Sequence, residues 1–145
     1  MRFDVENMLS NAQAFTGAAT VSTNSYQKQS AAQDIAIGRR MCLLCIVTTA
    51  AGVGSTHTME AIQATTAALT TGVAVLNTVT IAAATLVAGY QFVIPIPPNV
   101  MTAQWLGFRN TSTGGTTTVS LTVYLVPEDE VPFNPLFPKV VDAEV

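Results

Sequence analysis

Few residues in this chain could do chemistry, and its single histidine bounds the possibilities. A Ser/His/Asp or Cys/His mechanism would have to run through His57. Its surroundings, Gly54-Ser55-Thr56-His57-Thr58, show no nucleophile elbow and no dedicated acidic partner. A strand or surface histidine is therefore expected rather than a catalytic one. Cys42 and Cys45 form a C-x-x-C, which at a helix N-terminus would be a redox pair. Here they lie in MCLLCIVTT (residues 41–49), an apolar run that reads as a strand. Residues three apart on a strand point to opposite faces, so the sulfurs diverge and two buried thiols are expected. A zinc site would want a second ligand pair that one histidine does not supply. Gly52-Val53-Gly54-Ser55 lacks the lysine and helix of a phosphate loop and reads as a turn. Asn110-Thr111-Ser112 matches a glycosylation acceptor, which has no meaning without secretion. Glu128, Asp129 and Glu130 lack the spacing and turn glycine of a Ca²⁺ loop, leaving a solvated or salt-bridging run. No catalytic residue, cofactor or metal is expected, and the chain does not read as an enzyme.

The elements around these residues are strands. In residues 117–126, Val119, Leu121, Val123 and Leu125 alternate with Ser120, Thr122 and Tyr124, which makes one oily face. Tyr90, Phe92, Ile94 and Ile96 form another such run, and Pro95, Pro97 and Pro98 place it at a sheet edge or strand end. Residues 41–49 are apolar on both faces and read as a central strand. Residues 56–64 and 76–86 are Thr-rich strand candidates. Residues 104–110 carry Trp105, Leu106 and Phe108, and Gly114-Gly115 would then allow a hairpin return. A helical turn or two is possible only near residues 5–14, and residues 64–72 stay open between helix and loop. Six or more short strands in 145 residues point to an all-β, jelly-roll β-sandwich.

Composition agrees with that architecture. The chain is 49% hydrophobic but only 10% charged, against about 25% in an ordinary domain. Disorder is excluded by the high hydrophobicity. A net charge of -3 is unsuited to direct nucleic-acid binding. From Ala61 through Phe108 there is no Asp, Glu, Lys or Arg. Within that stretch residues 73–89 are the best candidate for a spanning helix, but Thr, Asn and Ala dominate and no aromatic belt flanks them, so no membrane span is expected. MRFDVENMLS has no hydrophobic h-region, so assembly in a reducing host cytoplasm is expected. So little charge suits a surface that is packed against other chains.

Three segments follow: an N-terminal arm (1–33), a jelly-roll sandwich (34–126) and a Pro-rich acidic C-terminal arm (127–145). Phe3, Met8, Leu9 and Phe15 are isolated apolar anchors in the first. Phe133, Leu136 and Phe137 stand between Pro132, Pro135 and Pro138 in the last. Such an arm docks onto a partner or packs back on its own sandwich. Arg39, Arg40 and Arg109 are the candidates for pairing with acidic groups, on the tail or on a partner.

Phe3-Asp4-Val5-Glu6-Asn7 with Ser10, Ala12-Gln13-Ala14 and Ser22-Thr23-Asn24 resembles the opening of the cement (decoration) proteins of tailed-bacteriophage capsids. It is most similar to the type found in short-tailed Bordetella phages. Asp34-Ile35-Ala36-Ile37-Gly38 stands where that family has a D-I-G-x-G-like segment. Leu86-Val87-Ala88-Gly89 is similar to its A-G before a strand, and Pro98-Asn99 with Trp105-Leu106-Gly107-Phe108 to its aromatic strand after a proline turn. The resemblance covers residues 2–126 and does not extend to the C-terminal arm. It implies a jelly roll, homo-oligomers (dimer or trimer) on the outer capsid surface of the virion, and clamping of neighbouring major capsid protein subunits. The contacts are then expected at Phe3, Met8, Leu9, Phe15, Arg39, Arg40, Phe133, Leu136 and Phe137. A carbohydrate- or receptor-binding jelly-roll module of a tail or spike is the alternative, with Trp105 and Asn110 as its one aromatic–amide pairing.

Overall fold

Alternating oily and polar residues build nine strands among the residues described in this computed structural model, namely 7–16, 19–28, 39–52, 55–98, 100–114 and 117–131. They are β1 (Met8–Thr16), β2 (Thr20–Val21), β3 (Tyr26–Gln27), β4 (Met41–Thr49), β5 (Thr56–Ala64), β6 (Ala74–Ala82), β7 (Gln91–Ile96), β8 (Trp105–Thr113) and β9 (Thr118–Pro127). One sheet has the order β1-β9-β4-β7. The other runs β2-β8-β5-β6, with β3 also paired to β8. All pairings are antiparallel. The first long strand pairs with the last, β2 with β8, β4 with β7 and β5 with β6. That is one long hairpin rolled into two facing sheets, the jelly-roll β-sandwich.

The core lies between the sheets. Leu43, Cys45 and Val47 of β4, the Val119/Leu121/Val123/Leu125 row of β9 and Phe92, Ile94 and Ile96 of β7 face Met59, Ala61, Leu106 and Phe108. Phe15 and Phe108 meet edge to face across the gap, with centroids 5.2 Å apart. β4 is internal to its sheet and apolar on both faces, as its sequence demands. β7 is an edge strand and holds Pro95, whose missing N–H is harmless there.

Three readings of the sequence are corrected. Residues 8–16 form β1 rather than a helical turn in an arm, because two register irregularities break the period-2 alternation that would have revealed a strand. Residues 8–27 thus supply three strands to the sandwich. Gly114 (φ 90) does not lead into a hairpin: β8 and β9 lie in different sheets, so the link crosses from one to the other. Residues 73–89, weighed as a spanning helix, hold β6 and a 3-10 turn at Ala83–Thr85. Among the described residues no helix is long and apolar enough to cross a membrane.

The open stretch between β5 and β6 is a strap over the outer face of its sheet. Leu69 takes a left-handed backbone (φ 59) and is 2% exposed, packed with Ile62 and Ala64. Its seat is Gly107, where an added Cβ would fall 2.2 Å from Leu69 Cδ1. Gly107→Ala is therefore expected to lower stability by about 1–3 kcal/mol through overpacking. In Gly107→Ala/Leu69→Ala the two effects should be less than additive, as read by chemical denaturation.

Candidate functional site

His57 is fully buried at the inner end of β5. Its Nδ1–H donates to Asn110 Oδ1 (3.2 Å), which leaves Nε2 to accept from the Thr117 hydroxyl (3.0 Å). Thr117 Oγ1 is also hydrogen-bonded to Ser55 Oγ, and Ser112 Oγ lies 3.4 Å away. A hydroxyl–imidazole–amide chain has the connectivity of an activated nucleophile. With no exposed imidazole atom, however, no substrate atom can reach this base. What the cluster does is knit the ends of β5, β8 and β9. Asn110 Nδ2 is a buried donor with no partner among the described residues. The network escaped the sequence reading because its members stand at positions 55, 57, 110, 112 and 117, joined only by the fold.

The C-x-x-C is split by the sheet, as strand geometry requires. Cys45 faces the main core and Cys42 the opposite side; both are free and buried. Burial pushes the Cys42 thiol up to about 12, with the Glu128 carboxylate adding to the shift. Burial likewise raises Cys45 well above the ordinary thiol value, with Cys42 adding a smaller effect. Neither is a ready thiolate. Among the described residues no group of three or more His, Cys, Asp or Glu could hold a metal ion.

Charge appears where it cancels. Arg109 on β8 forks onto Glu60 on β5, Nε–Oε1 3.2 Å and Nη2–Oε2 3.1 Å, so its partner is neither tail nor second chain. Arg39 reaches Glu130 Oε1 (2.6 Å) and Asp129 Oδ1 (3.2 Å) in the 3-10 turn after β9. These exposed bonds set the register of the chain as it leaves the sandwich rather than adding much stability. Arg40 accepts from the Glu128 N–H through its carbonyl (2.8 Å) and lines a shallow cavity of about 280 Å³ with Glu128, Ile96, Pro95, Pro97 and Pro98. Lys28, unremarked in a polar stretch, is fully buried and donates to the Met101 carbonyl (3.0 Å).

The residues expected at contacts divide sharply. Leu9 and Phe15 are 1% and 0% exposed in the sandwich core, so they hold β1 in place and are not free for a partner. Met8 is half-buried opposite Tyr124. Arg39 is engaged by its own chain, and Arg40 stands exposed at the same corner with no ion pair among the described residues. Phe3, Phe133, Leu136 and Phe137 lie outside the described residues. The corner itself does bring together the start of β4, the end of β7 and the exit from β9. Val131 lies there against Cys42, Leu44 and Val126, the apolar outer face of the β4/β9 sheet. Trp105 and Asn110 are on opposite faces of β8, Trp105 beside Leu69 and Asn110 inside, so they do not form a joint glycan platform.

The family model Bbp16 matches residues 9–125, from β1 to within β9. The chain belongs to the Bbp16 family. That name suggests a Bordetella phage protein and states no activity. The Bbp16 match ends before the corner built by Arg39 and Glu128–Glu130 is complete. A search of curated proteins finds no match.

Two outcomes follow. His57→Ala should lower stability by about 2–3 kcal/mol, since it strands Asn110 and Thr117, and urea unfolding followed by circular dichroism measures it. In the native chain at pH 8 neither thiol should react with a thiol reagent, and both should react in denaturant. Because the folded Cys42 value is raised, its contribution is full below about pH 9 and is lost as pH rises towards about 12. Cys42→Ala should therefore flatten the alkaline limb of a stability–pH curve.

Proposed function

We propose that this chain is a structural virion protein that decorates the outer surface of an icosahedral phage capsid and stabilises it by bridging major capsid protein subunits. Membership of the Bbp16 family over residues 9–125 carries the reading, together with the cement-protein resemblance of the N-terminal residues. The physical features agree with it. A sandwich without a charge from Ala61 through Phe108 offers wide neutral faces to neighbours. A chain that leaves the corner at Val131 with Phe133, Leu136 and Phe137 ahead of it can hold a surface beyond its own sandwich. Each copy contributes modest contacts, and engagement of several subunits at once multiplies the effective affinity. Expansion of the shell would create the matching sites, so attachment follows maturation.

A variant ending at Val131 retains the Arg39 bonds and the Val131 packing, so its sandwich stays intact. It should bind expanded capsids at least tenfold more weakly than the full chain, with a matching loss of particle heat resistance. Unchanged occupancy, counted by electron microscopy of intact particles, would remove the arm from the mechanism. Absence of the full chain from the particle surface would remove the reading itself.

A further inference from the structure

We infer that the C-terminal arm folds back over the outer face of its own β4 sheet, with Phe133 seated on Leu44 between Val93 and Tyr124. Strand pairing lays this face out in rows: Pro95–Cys42–Val126 next to the corner, then Val93–Leu44–Tyr124, then Gln91–Ile46–Thr122. Burial along β4 is graded across them. Cys42 and Leu44 are 0% exposed, Ile46 is half-buried and Thr48 is exposed. Neighbours in the same sheet flank a side chain without covering it, because side chains stand roughly perpendicular to the sheet. A second layer therefore lies over the first two rows and thins out beyond Ile46. Of the apolar residues packed there, Val131 alone among those described comes from outside the sheet, and a valine is too small to shield both rows.

The occupant follows from where the described chain ends. β9 finishes at Pro127. The 3-10 turn Glu128–Glu130 is held by the Glu128 N–H on the Arg40 carbonyl (2.8 Å) and by Arg39. That turn sends the chain back over the sheet, so that Val131 lies against Cys42, Leu44 and Val126. Extended backbone advances about 3.3 Å per residue, so two residues beyond Val131 carry the chain one same-face step along β4, from the Cys42 row to the Leu44 row. The residue at that step is Phe133, and Leu136 follows within reach of Ile46. Pro132, Pro135 and Pro138 keep the arm extended and remove N–H groups that a strand would need. Such a segment suits the face of a sheet rather than its edge.

This seat belongs to the free chain and does not rest on the capsid reading, since no particle enters its test. In the full chain the methyl NMR signals of Leu44, Ile46 and Val93 should not change on dilution. In the variant ending at Val131 they should shift, and a peptide of residues 132–145 should restore them. The same peptide should leave the full chain unaltered, because its seat is filled. Phe133→Ala in the peptide, or Val93→Glu in the truncated chain, should weaken that binding by about tenfold or more while thermal unfolding of the chain stays cooperative. Leu44 signals unmoved by the truncation would give the face to residues 1–6 or 29–38 and overturn the inference. Signals of the full chain that change on dilution, which would mean the arm of a second copy, would overturn it too. So would a peptide that fails to bind, or one that binds as tightly with Phe133→Ala.

Discussion

The sandwich depends on β9 lying between β1 and β4. Phe15 sits opposite Val119 and Met8 opposite Tyr124, pairings between the two ends of the chain. Ser10 Oγ donates to the Leu121 carbonyl (3.0 Å) and Ala12 N–H to Thr122 Oγ1 (2.9 Å), so side chains stitch what the irregular β1 ladder leaves loose. Without β9, β1 would have no sheet partner and β4 would keep only β7. Phe15 would then lose its place against Phe108, and with it a link between the sheets. A loop of most of the chain must close before these contacts form, which makes the fold cooperative and its formation slow for its size.

The two outer faces have opposite characters. Behind β4 and β9, Cys42, Leu44 and Val126 are buried, and Val131 lies over them where the chain leaves the sandwich. Behind β5 and β8, rows such as Thr80–Thr58–Thr111 run across the sheet, interrupted by the Glu60–Arg109 fork and by the Leu69 strap. Arg109 and Arg39 are each matched at short range, by Glu60 and by Asp129 with Glu130.

Strands with unbroken periodicity were legible in the residues alone. β9 shows its oily row, β7 its prolines and β4 its two apolar faces, and the split of Cys42 from Cys45 followed from strand geometry. β1 was hidden, because its bulges put Leu9 and Ser10 both inside and so erase the alternation. Leu9 and Phe15 therefore looked like anchors of an arm when they are core. Nothing local marks Gly114 as a crossing between sheets rather than a hairpin, since backbone freedom at a glycine serves both. The His57 cluster was equally invisible, because hydroxyls and an amide from three strands carry no spacing signal.

The chain by itself determined the class of structure and the economy of charge. Period-2 hydrophobicity can be satisfied only by sheets with an inside, and a span without Asp, Glu, Lys or Arg can only make neutral surfaces. Tertiary structure decided the partners. It chose Glu60 for Arg109, Asp129 and Glu130 for Arg39, and Gly107 for Leu69. It also set Asn77 of β6 between the Thr78 N–H and the Pro95 carbonyl of the facing sheet. The reason is that alternation specifies which face a side chain takes, whereas neighbours in a jelly roll are set by how the long hairpin rolls, bringing together residues far apart in the chain.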